Sequence, residues 1–425
     1  MNDLEKFKPC TGYCQMIGAA TALLSIKNSL VIFNSPRWCA LTAERELTCI
    51  NKDYERKVFC TEARENDILY GIEKSLRETI KEAIDMEGTP TLLNVITSCS
   101  MSLIGDDIKG VCASETDCNN VITLDAGGFT GTFESGYQLA MIALLKNINS
   151  KVTEQKSLKV NLLGVCTSYP NWKGNLEELK RLLRLAGIEV NVALGADNTD
   201  FAELEKIVEA ELNVVLVPEL SLNVANYLYE SLGQRYIIAT IPFGFKDSIK
   251  WLNDISSGLG VIPNLKEIEN EIKQLERDII DEAYSMRNFF SNFNLLQMAS
   301  SLPESLTISI FKAMNNSGVD LLNCNACYCN KKDVIEHTSS NESFSLKQLT
   351  EIKGLDGKGY QLLLGTEKER MRFKDFTRTL YLNFSMPMEK IKCENDCYVG
   401  VRGWPNFVRN IFSQIKTLEY INKSL

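Results

Sequence analysis

Histidine is almost missing from this chain: His337 is the only one among 425 residues. That scarcity removes mechanisms that need a histidine pair, zinc sites built from several imidazoles and iron sites with two histidine ligands, and it makes a Ser-His-Asp triad a poor fit. His337 itself falls in a polar stretch and reads as a solvated side chain. Long apolar runs are missing too. No stretch approaches the roughly 18 consecutive apolar residues of a membrane helix, and no basic segment followed by an apolar run opens the chain. Neither export nor membrane insertion is expected, so no membrane partner is expected and the expected location is cytoplasmic. Positive charge is in short supply: 46 Lys and Arg stand against 55 Asp and Glu, for a net charge of −9, and the basic residues are scattered. A nucleic-acid partner needs a basic stripe, so none is expected.

Cysteine, by contrast, is plentiful, with 14 copies. In a chain without an export signal these are not expected to form disulfides, because a reducing cytosol keeps thiols free. Metal ligation and buried packing remain as their uses. A hydrophobic content of 44% and a charged content of 24% are ordinary for a globular protein. A chain of 425 residues exceeds what one hydrophobic core covers, so two or three domains are expected.

Strand-like and helix-like patterns alternate along most of the chain. In a first domain, 1–150, the pattern predicts a helix at 19–26, a strand at 29–33 and an amphipathic helix at 67–84. Ile68, Ile72, Leu76, Ile80 and Ile84 fall four apart on one face of that helix. Strands at 92–96 and 121–124 and an apolar helix at 136–145 follow, and the polar stretch 149–157 reads as a linker. A second domain, 151–262, is predicted to hold strands at 159–163, 189–192, 214–217 and 236–240 around helices at 176–186, 201–210 and 222–232. The clearest amphipathic helix, 265–280, leads into a third domain, 263–425. There strands are predicted at 294–298, 319–322, 361–364 and 380–384, and helices at 303–314, 346–352 and 405–418. The fold class expected is α/β with three Rossmann-like, doubly wound parallel-sheet domains.

The densest local signal is V-I-T-S-C-S-M-S-L-I-G-D-D-I, from Val95 to Ile108. An apolar β-branched run stops at Thr97-Ser98, a cysteine follows, and Gly105-Asp106-Asp107 opens a helical segment. Cys99 therefore stands at the carboxyl end of a buried parallel strand, where open α/β sheets gather their chemistry. Cys14 precedes an apolar helix in C-Q-M-I-G-A-A, and Cys39 follows a short strand in V-I-F-N-S-P-R-W-C-A. Taken alone, three scattered cysteines read as packing residues. Asp106 and Asp107 could hold magnesium or carry protons, but better fit the first turn of a helix, near the positive end of its dipole. Gly127, Gly128, Gly131 and Gly136 match neither G-x-G-x-x-G nor a Walker loop, so close backbone approach is the default reading and no nucleotide is expected.

Four segments together resemble one family, the nitrogenase component 1 type oxidoreductases. C-Q-M-I-G-A from Cys14, the strand and S-x-x-x-C ending at Cys39, S-C-S-M-S-L-I-G-D-D-I around Cys99, and G-G-F-T-G-T-F-E-S-G-Y from Gly127 to Tyr137 occur in that family's order and approximate spacing. The resemblance implies that Cys14, Cys39 and Cys99 supply thiolates to an iron-sulfur cluster, four-iron or larger and P-cluster-like, at the interface of two homologous subunits. Thiolate is the soft donor such clusters take. Cys10 is an alternative to Cys14, but C-Q-M-I-G-A is the better match. Three thiolates leave a four-iron cubane one ligand short, so the partner is expected to supply a fourth or to complete a larger cluster with its own set.

The implied role is that of a subunit in a nitrogenase-like reductase. Its cluster would relay electrons from an ATP-dependent iron protein to a substrate or cofactor site. The alternative is a scaffold subunit on which a nitrogenase-type metal cofactor is assembled; a ligand-binding protein without iron is a third reading. Catalytic subunits of the family hold a second, larger cofactor through a middle-domain cysteine and a last-domain histidine. Neither has a counterpart at Pro218 to Leu220 or at Leu380 to Ser385, so the chain resembles the partner-type subunit or a member that never held that cofactor.

The other cysteines carry weaker signals. Cys49, Cys60, Cys112, Cys118 and Cys166 have no spacing that demands a metal and read as packing residues. Cys324-x-x-Cys327-x-Cys329 together with Cys393-x-x-x-Cys397 is the one other arrangement able to bind metal. Its second spacing is irregular and the separation long, which favours free thiols.

Overall fold

The computed structural model describes residues 13–118, 120–148, 156–169, 171–289, 295–329, 346–348, 359–366, 370, 378–383 and 396–424. His337, Cys10, Cys393 and most of the expected linker at 149–157 lie outside them. Among the described residues, thirteen strands form three sheets. The first contains β1 (Ser29–Asn34), β2 (Val58–Cys60), β3 (Leu92–Thr97) and β4 (Val121–Asp125) in the order β2-β1-β3-β4. The second contains β5 (Lys156–Leu163), β6 (Glu189–Leu194), β7 (Ala210–Val215) and β8 (Tyr236–Ile238) in the order β6-β5-β7-β8. The third contains β9 (Leu295–Ser300), β10 (Ala326–Cys329), β11 (Leu346–Gln348), β12 (Tyr360–Gly365) and β13 (Thr379–Asn383) in the order β11-β10-β9-β12-β13. Neighbouring strands run parallel, as β1 does to both β2 and β3, with helices between them in sequence. This is the α/β architecture of three parallel sheets that the alternation of patterns predicts.

The chain divides into two compact units, one drawn from Gly12–Ser168 and Val190–Ile238, the other from Tyr169–Glu189 and Ala239–Leu425. The first unit holds the first two sheets. Its central strands β1 and β3 are buried at every residue, as continuous apolar runs covered on both faces should be. Leu30, Ile32, Leu93 and Val95 pack there against Leu76, Ile80 and Ala83. The single helix expected at 67–84 is two helices, Glu65–Tyr70 and Glu73–Glu87. Gly71 divides them at φ 92°, a conformation that L side chains resist, while the Asp106 carboxylate accepts the Ile72 N–H at 3.0 Å. Ile68 is consequently exposed, whereas Ile72, Leu76 and Ile80 are buried. Arg37–Ile50 is a helix that the sequence pattern did not announce, because Arg45, Glu46 and Glu44 interrupt its apolar stripe. The helix expected at 201–210 is one α turn, Phe201–Leu204, and a 3₁₀ turn, Glu205–Glu209, with Ala210 already in β7.

Helix Gln15–Leu24 is buried along its whole length. It lies against helix Phe133–Asn147 at glycine contacts so close that a Cβ on Gly18 would run into the Phe133 carbonyl oxygen, and one on Gly136 into the Gln15 carbonyl oxygen.

The second unit carries the third sheet with helices Trp172–Leu185, Phe245–Gly258, Lys266–Phe289, Glu304–Asn315 and Gly400–Ser424. The buried Glu178 carboxylate accepts the backbone N–H groups of Val401 and Arg402 at 3.1 and 3.0 Å, capping the start of the last helix. Arg181 joins Glu178 to Glu271, and Glu271 in turn binds Arg402 at 2.6 Å. Two expectations for this unit are corrected. The strand expected at 319–322 is a 3₁₀ turn, Asp320–Leu322, and the strand that follows, β10, contains Cys327 and Cys329. Where a helix was expected from Leu346, Leu346–Gln348 is a parallel strand in register with Cys327–Cys329, because pairing at a sheet edge overrides the helical preference of Leu-Lys-Gln. Among the described residues no helix is long and apolar enough to cross a membrane.

Candidate thiolate site at the edge of the first sheet

Parallel strands all end at one edge, and in the first sheet the chain puts a cysteine or a glycine pair just beyond each of β1, β3 and β4. After β1, Ser35-Pro36 turns the chain into helix Arg37–Ile50, and Cys39 lies in its first turn with its N–H on the Pro36 carbonyl at 3.1 Å. After β3, the Ser98 N–H still reaches the Asn34 carbonyl at 3.0 Å, and Cys99 is the next residue. After β4, Ala126 bonds to the Thr97 carbonyl at 3.0 Å, and Gly127-Gly128 follow. Cys14 is the N-cap of helix Gln15–Leu24; it bridges to Thr132, and its carbonyl accepts the Ile17 and Gly18 N–H groups at 3.2 and 3.4 Å. Strand ends and a helix start thus bring together the three cysteines singled out in the sequence.

The glycine pair explains how closely they gather. A Cβ on Gly127 would stand 3.1 Å from the Cys99 sulfur, and one on Gly128 would stand 2.9 Å from the Cys14 Cβ. Glycine leaves that space open, and the Gly128 N–H donates to the Cys99 Sγ at 2.8 Å. The Thr130 hydroxyl, 2.7 Å from the Gln15 Oε1, ties the loop to the helix that Cys14 caps. Close backbone approach, the default reading of these glycines, is their role here.

Burial pushes the Cys39 thiol up, and the sulfurs of Cys14, Cys99 and Cys60 push it up further. Cys39 is exposed, while Cys14, Cys99 and Cys60 are half-buried. A cation set beside Cys39 relieves that penalty on its ionisation. Among the described residues, no three Cys, His, Asp or Glu side chains stand as the ligands of a single metal ion do. Separate thiols around a shared space suit a multi-iron cluster, in which each thiolate binds its own iron, and the all-sulfur donor set fits that chemistry.

Cys60, read from the sequence as a packing residue, also stands at this sheet edge. Val58-Phe59-Cys60 is a three-residue strand, too short for alternation to reveal, and its pairing with β1 brings Cys60 to the same sheet edge in register with Phe33. The aromatic and β-branched pair before the cysteine was the available signal.

The remaining candidates sort differently. The Asp107 carboxylate caps helix Ile108–Glu115 by accepting the Gly110 N–H at 3.0 Å, and Asp106 is engaged with Ile72, so both acids serve the backbone. Burial pushes the Cys112 and Cys166 thiols up to about 11 and about 12, which keeps them protonated as packing residues. Cys324, Cys327 and Cys329 are buried. Burial drives Cys324 up to about 12, and raises Cys327 with help from the sulfurs of Cys329 and Cys324. Cys397 is raised by burial too, but its charged neighbours are Glu178, Arg181, Asp396 and Arg402. Cys327 thus feels the sulfurs of Cys324 and Cys329, while no sulfur figures among the charged neighbours of Cys397.

Around the first set lies an apolar rim. Trp38, beside Cys39, is 81% exposed; Leu103, after Cys99, is 87% exposed; and Phe129, beside Gly128, is 95% exposed.

Residues 14–416 match the model of the nitrogenase component 1 type oxidoreductase family. A nitrogenase iron-molybdenum cofactor biosynthesis protein NifE from Clostridium pasteurianum is 27% identical over 279 residues, covering 65% of this chain and 58% of that protein. A light-independent protochlorophyllide reductase chain from Prochlorococcus marinus (strain MIT 9215) is 27% identical over 274 residues, covering 60% of this chain and 51% of that one. The matched region thus spans little more than half the length of these relatives. A solved structure of nitrogenase Cp1 at pH 6.5 has the same fold, with a TM-score of 0.73 over 100% of this chain and 96% of the other, at 15% identity.

Proposed function

This chain belongs to the nitrogenase component 1 type oxidoreductase family, and from that premise we propose that it is a subunit of a nitrogenase-like reductase whose Cys14, Cys39 and Cys99 hold an iron-sulfur cluster. The observation that carries the reading is the gathering of these thiols at the carboxyl edge of the first sheet, beside a glycine pair that keeps the space open. When bound, such a cluster supplies one-electron storage and release. The protein's own part is to hold sulfur negative and to shape access. The Gly128 N–H donates to the Cys99 sulfur at 2.8 Å and so fixes where it stands.

In this reading the cluster lies in the N-terminal domain (1–150), with a middle domain (151–262) and a C-terminal domain (263–425) completing the subunit. A homologous component 1 subunit covers the rim of Trp38, Leu103 and Phe129, since exposed apolar patches of this kind ordinarily mark an interface. Electrons come from an ATP-dependent iron protein, in the cytoplasm. A second reading, an assembly scaffold for a nitrogenase-type metal cofactor, draws on the biosynthetic role named for the clostridial relative.

The test is electron delivery. The anaerobically purified protein with its partner subunit is mixed with an iron protein and MgATP while cluster absorbance is followed. ATP-dependent bleaching is expected of the reductase subunit. Absence of bleaching, with a metal precursor passing to an acceptor protein, establishes the scaffold instead. An iron-free, colourless protein contradicts both.

A further inference from the structure

Helix Gln15–Leu24 has two polar side chains, and they behave differently. Thr21 turns back to its own helix and donates to the Ile17 carbonyl at 2.9 Å. Gln15, the residue after Cys14, reaches with both ends of its carboxamide to a distant loop. Its Oε1 lies 2.7 Å from the Thr130 hydroxyl and its Nε2 donates to the Ser135 hydroxyl at 3.4 Å, across 115 and 120 residues of sequence. Gln15 is only 8% exposed, and a buried amide is costly unless it meets such partners. Gly131 keeps room for it, since a Cβ there would come within 2.7 Å of the Gln15 Nε2.

The loop that Gln15 holds is the one that meets the Cys99 sulfur. The Thr130 hydroxyl also lies 2.7 Å from the Gly127 carbonyl oxygen, which accepts the Thr130 N–H at 3.1 Å, so a turn closes between Gly127 and Thr130. Gly128, inside that turn, donates its N–H to the Cys99 Sγ at 2.8 Å. Further along, Cys14 bridges to Thr132, and the Tyr13 carbonyl accepts the Phe133 N–H at 3.1 Å. One side chain therefore links the helix start that carries Cys14 to the turn whose N–H holds the Cys99 sulfur.

We infer that Gln15, acting through Thr130, is a positioning residue that sets the reduction potential of the cluster by keeping the Gly128 N–H on the Cys99 sulfur. The inference rests on the reading of Cys14, Cys39 and Cys99 as cluster ligands. Hydrogen bonds to the sulfurs are among the factors that fix the potential of an iron-sulfur cluster. The reduced cluster carries one more negative charge than the oxidised one, so a donor aimed at a ligand sulfur stabilises it more and raises the potential. Without the Gln15–Thr130 contact the turn is free to shift, the N–H loses its alignment, and a misaligned hydrogen bond weakens steeply. The potential then falls.

The test uses the full chain with its partner subunit, purified anaerobically. Iron per chain, melting temperature, midpoint potential from a redox titration and the electron paramagnetic resonance (EPR) spectrum are compared for the parent, Gln15→Met, Thr130→Val and Thr130→Ser. Methionine keeps the length of glutamine without its amide, and valine keeps the shape of threonine without its hydroxyl. Both variants are expected to retain most of their iron while the potential shifts to a more negative value and the EPR spectrum changes. Thr130→Ser keeps the hydroxyl and is expected to hold the parental potential. Thr130 is exposed, so its variants carry the test if Gln15→Met does not fold. A parental potential in iron-loaded Gln15→Met and Thr130→Val overturns the inference and leaves the ligand reading standing. Iron lost in step with melting temperature, with the remaining cluster at the parental potential, overturns it too, because that is the mark of a merely structural role. An iron-free parent overturns the ligand reading and this inference with it.

Discussion

A cysteine's use in this chain is decided by what its sulfur meets. Cys327 sits in a buried strand, where desolvation penalises its thiolate, and Cys397 lies among the charges of Glu178, Arg181 and Arg402. The Cys99 sulfur, by contrast, accepts the Gly128 N–H at the open edge of a sheet. Replacing Cys327 and Cys397 together with serine is therefore expected to leave iron per chain unchanged. The serine hydroxyl at the buried position 327 lowers thermal stability by about 1–3 kcal/mol if it finds no partner. Metal analysis alongside a melting curve checks this: loss of a cluster's worth of iron with the fold intact would establish a second metal centre in the C-terminal region. That Cys14, Cys39 and Cys99 gather at one place could be expected from the sequence because each is embedded in a matched segment. That Cys60 ends a strand at the same edge could not, because its only cue is a three-residue strand, and nothing in linear spacing reports which strand ends share an edge.

Among elements, the close contact of helices Gln15–Leu24 and Phe133–Asn147 sets where Cys14 stands. By helix propensity alone, Gly136→Ala should stabilise by about 1 kcal/mol. At this position the added Cβ runs into the Gln15 carbonyl oxygen, one residue from Cys14, and forcing a close-packed contact apart costs about 1–3 kcal/mol or more. Gly136→Ala is accordingly expected to lower the melting temperature and also to lower iron content, although it touches no ligand; a higher melting temperature with full iron would refute the contact's role. Elements with strong periodicity were readable, as helix Lys266–Phe289 and strands β3 and β12 were. Those fixed by tertiary context were not. Gly71 breaks a helix whose apolar spacing runs straight through the break, and Leu346–Gln348 becomes a strand only by pairing with β10. Helix Arg37–Ile50 hid behind charged residues that interrupt its apolar stripe.

For the molecule as a whole, the alternation of patterns was enough to predict three parallel sheets, since each crossover needs a helix and each helix must cover a sheet face. The account of function turns on one claim, that thiolates at the edge of the first sheet hold iron. The most direct measurement is iron and acid-labile sulfide per chain, with the EPR spectrum, in anaerobically purified protein and its Cys99→Ala variant. The account predicts a brown parent protein with a reducible cluster, and a variant that stays folded but loses most of its iron, because alanine removes the thiolate that the Gly128 N–H holds in place. Full iron content and an unchanged spectrum in Cys99→Ala would contradict it.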